Sequence, residues 1–332
     1  MLNEPVTVAG LTVKPGEVGR GVVEIGDLFA DGQPLEIPFT ISNGVEPGPC
    51  LYIQIAQHPN ETWGLSGIYN VLTALDPRKL SGTIIFSIPN PVGFRFSSYN
   101  PPYITHDINR VGTGNPEGTL MERIVNSWWV NFVEDKADYV IDVHGVPPET
   151  FVYYEAKGVS PDIPEEVAAK SEKMALLFGA KSVQKQLDSY GGGSSFRGAC
   201  VDNGIPAIVP EVSTDGASIT ERGIRNIMID LGMTEGTIEL PKVQYILKWT
   251  SDRKASTLNC SKGGCFIPKV KVGDTVKTGD EVGILFNPRS LKEVEVLKAH
   301  RDGYVSSVRS NPVKVAGESV LTILEILETV KN

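Results

Sequence analysis

The chain has 332 residues, 41% of them hydrophobic, and a net charge of −9. That length suits about two domains with a substantial core, and the acidic balance argues against a nucleic-acid binder, which needs a basic face. No apolar run approaches the roughly 20 residues of a membrane span. The opening MLNEPVTVAGLTVKPGE lacks the basic start and apolar core of a signal peptide, so a cytoplasmic protein without membrane attachment is expected.

Residues 1–45 read as a β-rich lead-in, with strand-like runs at 5–13, 19–25 and 35–41 separated by Gly, Asp and Pro. This segment suits the edge or cover of a sheet. Residues 51–56 read as a short buried strand that breaks at QHPNE, and 65–75 then carry helical spacing. His58 and Glu61 therefore sit on a loop at the carboxyl end of a strand, where open α/β sheets bind ligands. An imidazole and a carboxylate three residues apart can converge on one cation and suit Zn²⁺. An H-x-x-E pair on a loop is, by itself, more often solvated surface.

Residues 82–89 form another apolar strand, ending at Asn90-Pro91. The polar segment 92–118 has little periodicity, and loops of that length are usually functional or disordered. Within it lies His106-Asp107-Ile108-Asn109-Arg110. Asn109 and Arg110 side by side can fork a carboxylate; an Asp107–Arg110 pair bracing the loop is the equal alternative. Residues 120–132 read as an amphipathic helix with Trp128 and Trp129 in the core. The strand that follows ends in His144 and Gly145, which completes a His₂Glu set with His58 and Glu61.

A strand at 151–155 and a helix at 165–178 with a solvated charged face come next. The GGGSS turn at 191–195 fits neither a phosphate loop nor a nucleophile elbow around Ser194 or Ser195. A helix at 195–203 leads to an apolar strand, 205–211, whose end delivers Glu211. That residue is a candidate general base or an ordinary strand-end glutamate. The last helix spans 218–231. Composition shifts near 240, and from Gly263 short strands with repeated Gly-Asp turns fall into two similar halves, as in a small all-β sandwich. The hairpin at 287–292 lacks the flank of a modified carrier lysine, so a structural or gating role is expected. The four cysteines, Cys50, Cys200, Cys260 and Cys265, are too few for a disulfide scaffold.

Taken in order, HPNE at 58–61, Asn90-Pro91, DINR at 107–110, DVH at 142–144 and Pro210-Glu211 resemble the succinylglutamate desuccinylase/aspartoacylase family, relatives of the zinc carboxypeptidases. The resemblance covers about residues 45–330. It implies an α/β fold: a three-layer α/β/α zinc-carboxypeptidase-like domain with a mixed central sheet at 1–240, and a C-terminal barrel-sandwich of the biotinyl/lipoyl kind at 241–332. It further implies one Zn²⁺ per chain on His58, Glu61 and His144, with Glu211 as general base and acid. Asn109 and Arg110 would contact the substrate, Arg110 through a carboxylate.

The implied activity is hydrolysis of the amide of a small N-acyl amino acid with a short acyl group. Departures from the family pattern fall at Gln57, at Val111-Gly-Thr113, and at Pro102, where some members carry a second arginine; Arg95 is further back. They bear on acyl-group and amino-acid preference. The rival readings are a metallocarboxypeptidase acting on peptides and a metal-free binding protein that retains the fold. Homo-oligomerisation through the C-terminal unit stays open.

Overall fold

The computed structural model describes residues 2–26, 28–97, 107–145, 149–188 and 195–332. A small hairpin, β1 (Val6–Val8) with β2 (Leu11–Val13), precedes the long antiparallel pair β3 (Glu17–Ile25) and β4 (Leu35–Asn43). β5 (Glu46–Ile55), α1 (Leu65–Ala74), β6 (Ser81–Ser87) and α2 (Pro91–Phe96) follow. α3 (Leu120–Trp128) starts in a capping box, Thr119 with Glu122, and runs on into a π-helical turn at Trp129–Val133. Then come β7 (Tyr139–Val143), β8 (Phe151–Glu155), α4 (Glu165–Leu177), β9 (Ser182–Gln186), α5 (Phe196–Asp202), β10 (Ala207–Glu211) and α6 (Ala217–Asp230).

These strands lie in one mixed sheet, whose full order is completed by two strands introduced below. At its centre β10, β7, β5 and β6 run parallel as neighbours, while β4 and β3 join antiparallel at one side. The central strands are buried on both faces and therefore read as mainly apolar runs, with Gln54 and Asp142 among the buried polar exceptions. Side chains alternate between two cores. Tyr52, Ile85, Val140 and Ala207 pack with α3 and α5, while Leu51, Ile53, Ile84, Ile141 and Ile208 pack with α1, α4 and α6. The fold is thus a three-layer α/β/α sandwich. α1 and α6 approach so closely that a Cβ on Gly67 would lie 2.3 Å from the Ala217 carbonyl oxygen.

Residues 98–106, including His106 and Pro102, lie outside the described residues, as do 189–194 with Ser194. The remainder of 92–118 departs from the expected aperiodic loop. Asn90 caps α2 by accepting from Gly93 N at 3.0 Å, Pro91 opens the helix, and a 3₁₀ turn follows at Ile108–Arg110. Strand β9 has no counterpart among the elements expected from the sequence.

The expected seam at 240/241 is also crossed by the large sheet. β11 (Val243–Trp249) pairs parallel with β9, and the final strand, at Ile326–Lys331, pairs antiparallel with β11. Between them lie β12 (Thr257–Asn259), β13 (Gly264–Pro268), β14 (Thr275–Val276), β15 (Glu281–Asn287), β16 (Lys292–Lys298), β17 (Gly303–Val308), β18 (Val313–Lys314) and β19 (Ser319–Leu324), with the final strand as β20. β12–β19–β17–β14 and β16–β15–β13–β18 form two four-stranded sheets over a common apolar core. The small all-β unit is therefore built from 257–324, and the large sheet reads β20-β11-β9-β8-β10-β7-β5-β6-β4-β3.

The all-β unit is fastened to the large layer by Tyr304, fully buried, whose hydroxyl donates to both Glu149 oxygens at 2.9 and 2.8 Å. Lys181 Nζ reaches the Gly273 carbonyl at 2.7 Å beside it. Burial pushes the Glu149 carboxyl up, against the hydrogen bond from Tyr304 and the charge of Lys181. Tyr304→Phe leaves that carboxylate without its hydroxyl donor and is expected to lower unfolding free energy by about 1–3 kcal/mol, measured by urea denaturation.

Candidate metal centre and substrate cavity

Three neighbouring parallel strands end at one place. β5 ends at Ile55, and Ala56, with φ +65°, turns the chain into the His58 loop. β7 ends at Val143 and hands on His144, and β10 ends at Glu211. The ladder continues one step further: His144 N donates to Pro210 O and Val212 N to His144 O, both at 2.9 Å. The Asn90-Pro91 motif has a physical role here, since Asn90 Nδ2 donates to Gln57 O at 3.0 Å and pins the loop. Trp63 packs against the far side, where a Cβ on Gly145 would lie 2.5 Å from its ring.

His58, Glu61 and His144 are all buried and bring one ligand atom each to a common point. His144 Nδ1 lies 2.8 Å from Glu61 Oε2, His58 Nδ1 lies 3.2 Å from the same oxygen, and the two Nδ1 atoms are 3.1 Å apart. The opposite ring nitrogens are committed to carboxylates: His58 Nε2 to Asp107 Oδ1 at 2.8 Å and His144 Nε2 to Asp142 Oδ2 at 3.1 Å. With those protons on Nε2, both Nδ1 atoms present bare lone pairs to each other and to a carboxylate oxygen. Only a cation or shared protons can hold such a set together. Ligand atoms about 2.0–2.1 Å from one tetrahedral ion stand about 3.3 Å apart, so the donor set and its spacing fit a Zn²⁺-like ion. Carboxylate partners on the outer nitrogens are the usual support of metal-bound histidines.

The electrostatics agree. Burial works against charge on His58, but its hydrogen bonds to Asp107 and Glu61 win and raise its pKa. His144 is raised in the same way: burial opposes charge, and Asp142 and Glu61 outweigh it. Burial would raise Glu61, yet the two imidazoles bring it down to about 2.

Asp142 is completely buried and is itself oriented: its Oδ1 accepts from Gln54 Nε2 at 2.8 Å, and Gln54 Oε1 accepts from Tyr52 OH at 2.9 Å. In the sequence Asp107 and Asp142 stand out only as motif letters; the D-x-H placement of Asp142 before His144 is the available signal, and Asp107, 49 positions from His58, has none.

Glu211 stands beside this cluster with Oε2 buried and unbonded among the described residues. Burial pushes its carboxyl up to about 7, with Glu61 adding to the effect and His144 opposing it. A cavity of about 220 Å³ opens from Glu211 past Arg110, Asn109, Arg197, Tyr153 and Arg253. Asn109 is at the cavity, but its Oδ1 accepts from Phe196 N at 2.8 Å and so fastens the DINR turn to the start of α5. Its NH₂ and a second lone pair on Oδ1 remain for a ligand. Arg110 is half-buried there, 3.6 Å from Asp107, so the bracing pair and the cavity position coexist.

Ser195 caps α5, accepting from Gly198 N at 3.0 Å. Arg95 is exposed on α2 and is not part of the cavity wall. Two charged cavity residues, Arg197 and Arg253, were not expected from the sequence. Arg197 is a charged residue in an otherwise buried helix turn, which is a readable signal; Arg253 carries none. A larger groove of about 1320 Å³ lies between α1 and α6, near Asp76 and Glu239, at the far end of α1 from the His58 loop. It contains none of this chemistry.

A family model for the succinylglutamate desuccinylase/aspartoacylase catalytic domain matches residues 47–226. The chain belongs to this family. A related protein, the N-alpha-acetyl-L-2,4-diaminobutyric acid deacetylase of Halomonas elongata, is 24% identical over 304 residues, 88% of this chain and 86% of that protein. Among solved structures, the product-bound ectoine utilization protein EutE (DoeB) from Ruegeria pomeroyi superposes with a TM-score of 0.77 at 20% identity, covering 97% of this chain and 99% of that one. A succinylglutamate desuccinylase/aspartoacylase from Rhodobacter sphaeroides gives 0.75 at 21% identity, covering 94% and 96%. At these identities the structural matches establish the fold: the α/β layer of the family together with additional C-terminal strands in separate sheets.

The raised pKa of both imidazoles sets a pH dependence. Metal binding must displace protons from His58 and His144, so affinity for Zn²⁺ is expected to rise with pH through the neutral range, with proton release seen by calorimetry in buffers of different ionisation enthalpy. Asp142→Asn is expected to weaken Zn²⁺ affinity by about 10–100-fold, measured by competition with a chromophoric chelator.

Proposed function

We propose that the protein is a zinc-dependent amidohydrolase that removes a short acyl group from a small N-acyl amino acid. One observation carries this reading: three buried metal-type donors converge beside a buried carboxylate that keeps one oxygen open. The name of the Halomonas deacetylase supports a short acyl group on an amino acid. A single Zn²⁺ on His58, Glu61 and His144 would act as a Lewis acid and lower the pKa of water to about 7.

The remaining steps belong to side chains of this protein. Glu211, held near its titration point by burial, takes the proton of the attacking water. It returns that proton to the leaving nitrogen. Arg110 receives the substrate carboxylate through a charge-assisted fork and so sets the register of the amide against Glu211. Asn109 keeps the turn that carries Arg110 seated on α5. Residues 1–240 supply this machinery, and 241–332 contribute Trp249 and Arg253 to the cavity wall.

The cavity volume, about 220 Å³, falls below the roughly 300–1,000 Å³ of drug-sized sites. That supports a small substrate over a peptide and places the metallocarboxypeptidase reading second.

Elemental analysis of protein purified without chelator is expected to give close to one zinc per chain, lost in His144→Ala. Glu211→Gln is expected to keep the metal and lose about 10²–10⁴-fold in kcat on a panel of N-acyl amino acids. Metal without turnover of any panel member would overturn the substrate class. Absence of metal would sink the hydrolase reading and favour a binding protein.

A further inference from the structure

The all-β unit has one side fastened and one side free. Its sheet β12–β19–β17–β14 carries Tyr304 and meets the large layer: the Tyr304 ring lies 5.3 Å from that of Tyr245, and Tyr304 and Leu324 cluster with Leu247. The other sheet, β16–β15–β13–β18, turns its outer side to solvent. Ile267, Val296, Val313 and Val315 on that side are 46, 42, 61 and 63% exposed.

These side chains are not scattered. The register sets Val313, Cys265 and Phe286 side by side in one row across the sheet, and Ile267, Ile284 and Val296 in the next. Their neighbours along the strands, Phe266, Leu285 and Leu297, fill the core of the unit. A sheet with one face in the core ordinarily presents polar residues on the other. Here two successive outer rows are apolar. A third row is charged: Lys269 ion-pairs with Glu281, which stands opposite Lys298. Glu293, opposite Phe286, marks the other end, and Lys292, one step on, belongs to the other side of the pleat. Strands about 4.8 Å apart with a rise of about 3.3 Å per residue make this face roughly 15–20 Å on a side, the scale of patch that marks an association site.

What the face can receive is limited by its margins and its charge. Both edges of the sheet are blunted against an added strand. Glu295 on β16 accepts from Ser261 N and Lys262 N at 3.0 Å, Lys262 Nζ donates to Val294 O at 2.9 Å, and β18 is two residues long. An anionic membrane surface calls for clustered lysine and arginine, whereas Lys269 and Lys298 are balanced here by Glu281 and Glu293. A face with apolar rows in the middle and opposite charges toward its two ends is complementary to itself.

We propose that the outer face of β16–β15–β13–β18 is a homodimer interface, in which two copies stack these sheets about a two-fold axis lying across the strands. The apolar rows of one copy then lie on those of the other, and Glu293 of each copy comes within reach of the partner's Lys298. Such a contact is isologous and closes at two copies. None of these strands lines the substrate cavity, so association leaves it open, and the proposal stands apart from the hydrolase reading.

Sedimentation velocity of the full chain between about 1 and 100 µM tests this, with a dissociation constant of about 10 µM or tighter expected for wild type. Ile267→Glu and Val313→Glu place a charge in the apolar rows and are expected to weaken association about 30-fold or more. Both positions are exposed, so the unfolding midpoint stays that of wild type. Glu293→Lys and Lys298→Glu alone are each expected to weaken the dimer about threefold to tenfold, and the double variant to recover most of the loss. These two exposed positions keep the test decisive should either apolar variant fold poorly. Wild type that stays monomeric at about 100 µM would overturn the proposal. So would a dimer indifferent to Ile267→Glu and Val313→Glu, which places the contact elsewhere. A double charge-reversal variant no tighter than its parents would overturn the two-fold stacking.

Discussion

The buried carboxylate of Asp142 is the constraint on which the site depends. It sits one turn of the pleat before His144, on the same strand, and its two oxygens do different work. One accepts from Gln54 on the neighbouring strand, and the other fixes the outer nitrogen of His144. The Tyr52 hydroxyl, 2.6 Å from Ser87 on β6, completes the chain across three parallel strands. A carboxylate this deep is stable only when both of its oxygens are hydrogen-bonded. The strand register, and with it the convergence of His58, Glu61 and His144, is therefore tied to a polar thread through an otherwise apolar core. A slip of one residue in β5 against β7 would leave Asp142 facing aliphatic side chains.

Much of this arrangement is legible in the amino-acid sequence. His58, His144 and Glu211 each stand where an apolar strand meets turn-forming residues, and that grammar is local. The three-layer arrangement follows from strands such as 51–55, apolar on both faces, alternating with helices of one apolar stripe. The features that escape are those whose signal lies elsewhere in the chain. β9, Ser-Val-Gln-Lys-Gln, is short and polar; it becomes a strand because β8 and β11 present edges on both sides. α2 is six residues long, too short for periodicity, and exists through the Asn90 cap. Arg253 stands in a polar connection like many others, and only the folded chain brings it beside Tyr153, about a hundred positions earlier in sequence, on the cavity wall.

The site also separates two kinds of chemistry in space. Metal-type donors come from the ends of β5 and β7, which the rigid centre of the sheet holds in place. The groups that would read a substrate come from the DINR turn, α5 and the connection after β11, at the margin of that sheet. Loops and marginal elements tolerate change better than central strands. Substrate preference can thus drift while the reactive centre stays fixed. Relatives named for quite different acyl amino acids are what such a division permits.

The pairing of β11 with β20 has a consequence for how the chain comes together. These two strands form an antiparallel ribbon whose connection is the entire small β-unit, a hairpin with a folded body in place of a turn. An unstructured connection of that length would carry a sizeable closure entropy. Folding of 257–324 into its own two sheets shortens the effective gap, because it collapses the connection before the ribbon zips. The outer margin of the large sheet thus depends on a body that lines none of the cavity, while Trp249 and Arg253, at and just after the end of β11, do line it. Were that margin to open locally, the substrate wall would loosen with the buried His58–Glu61–His144 cluster still intact.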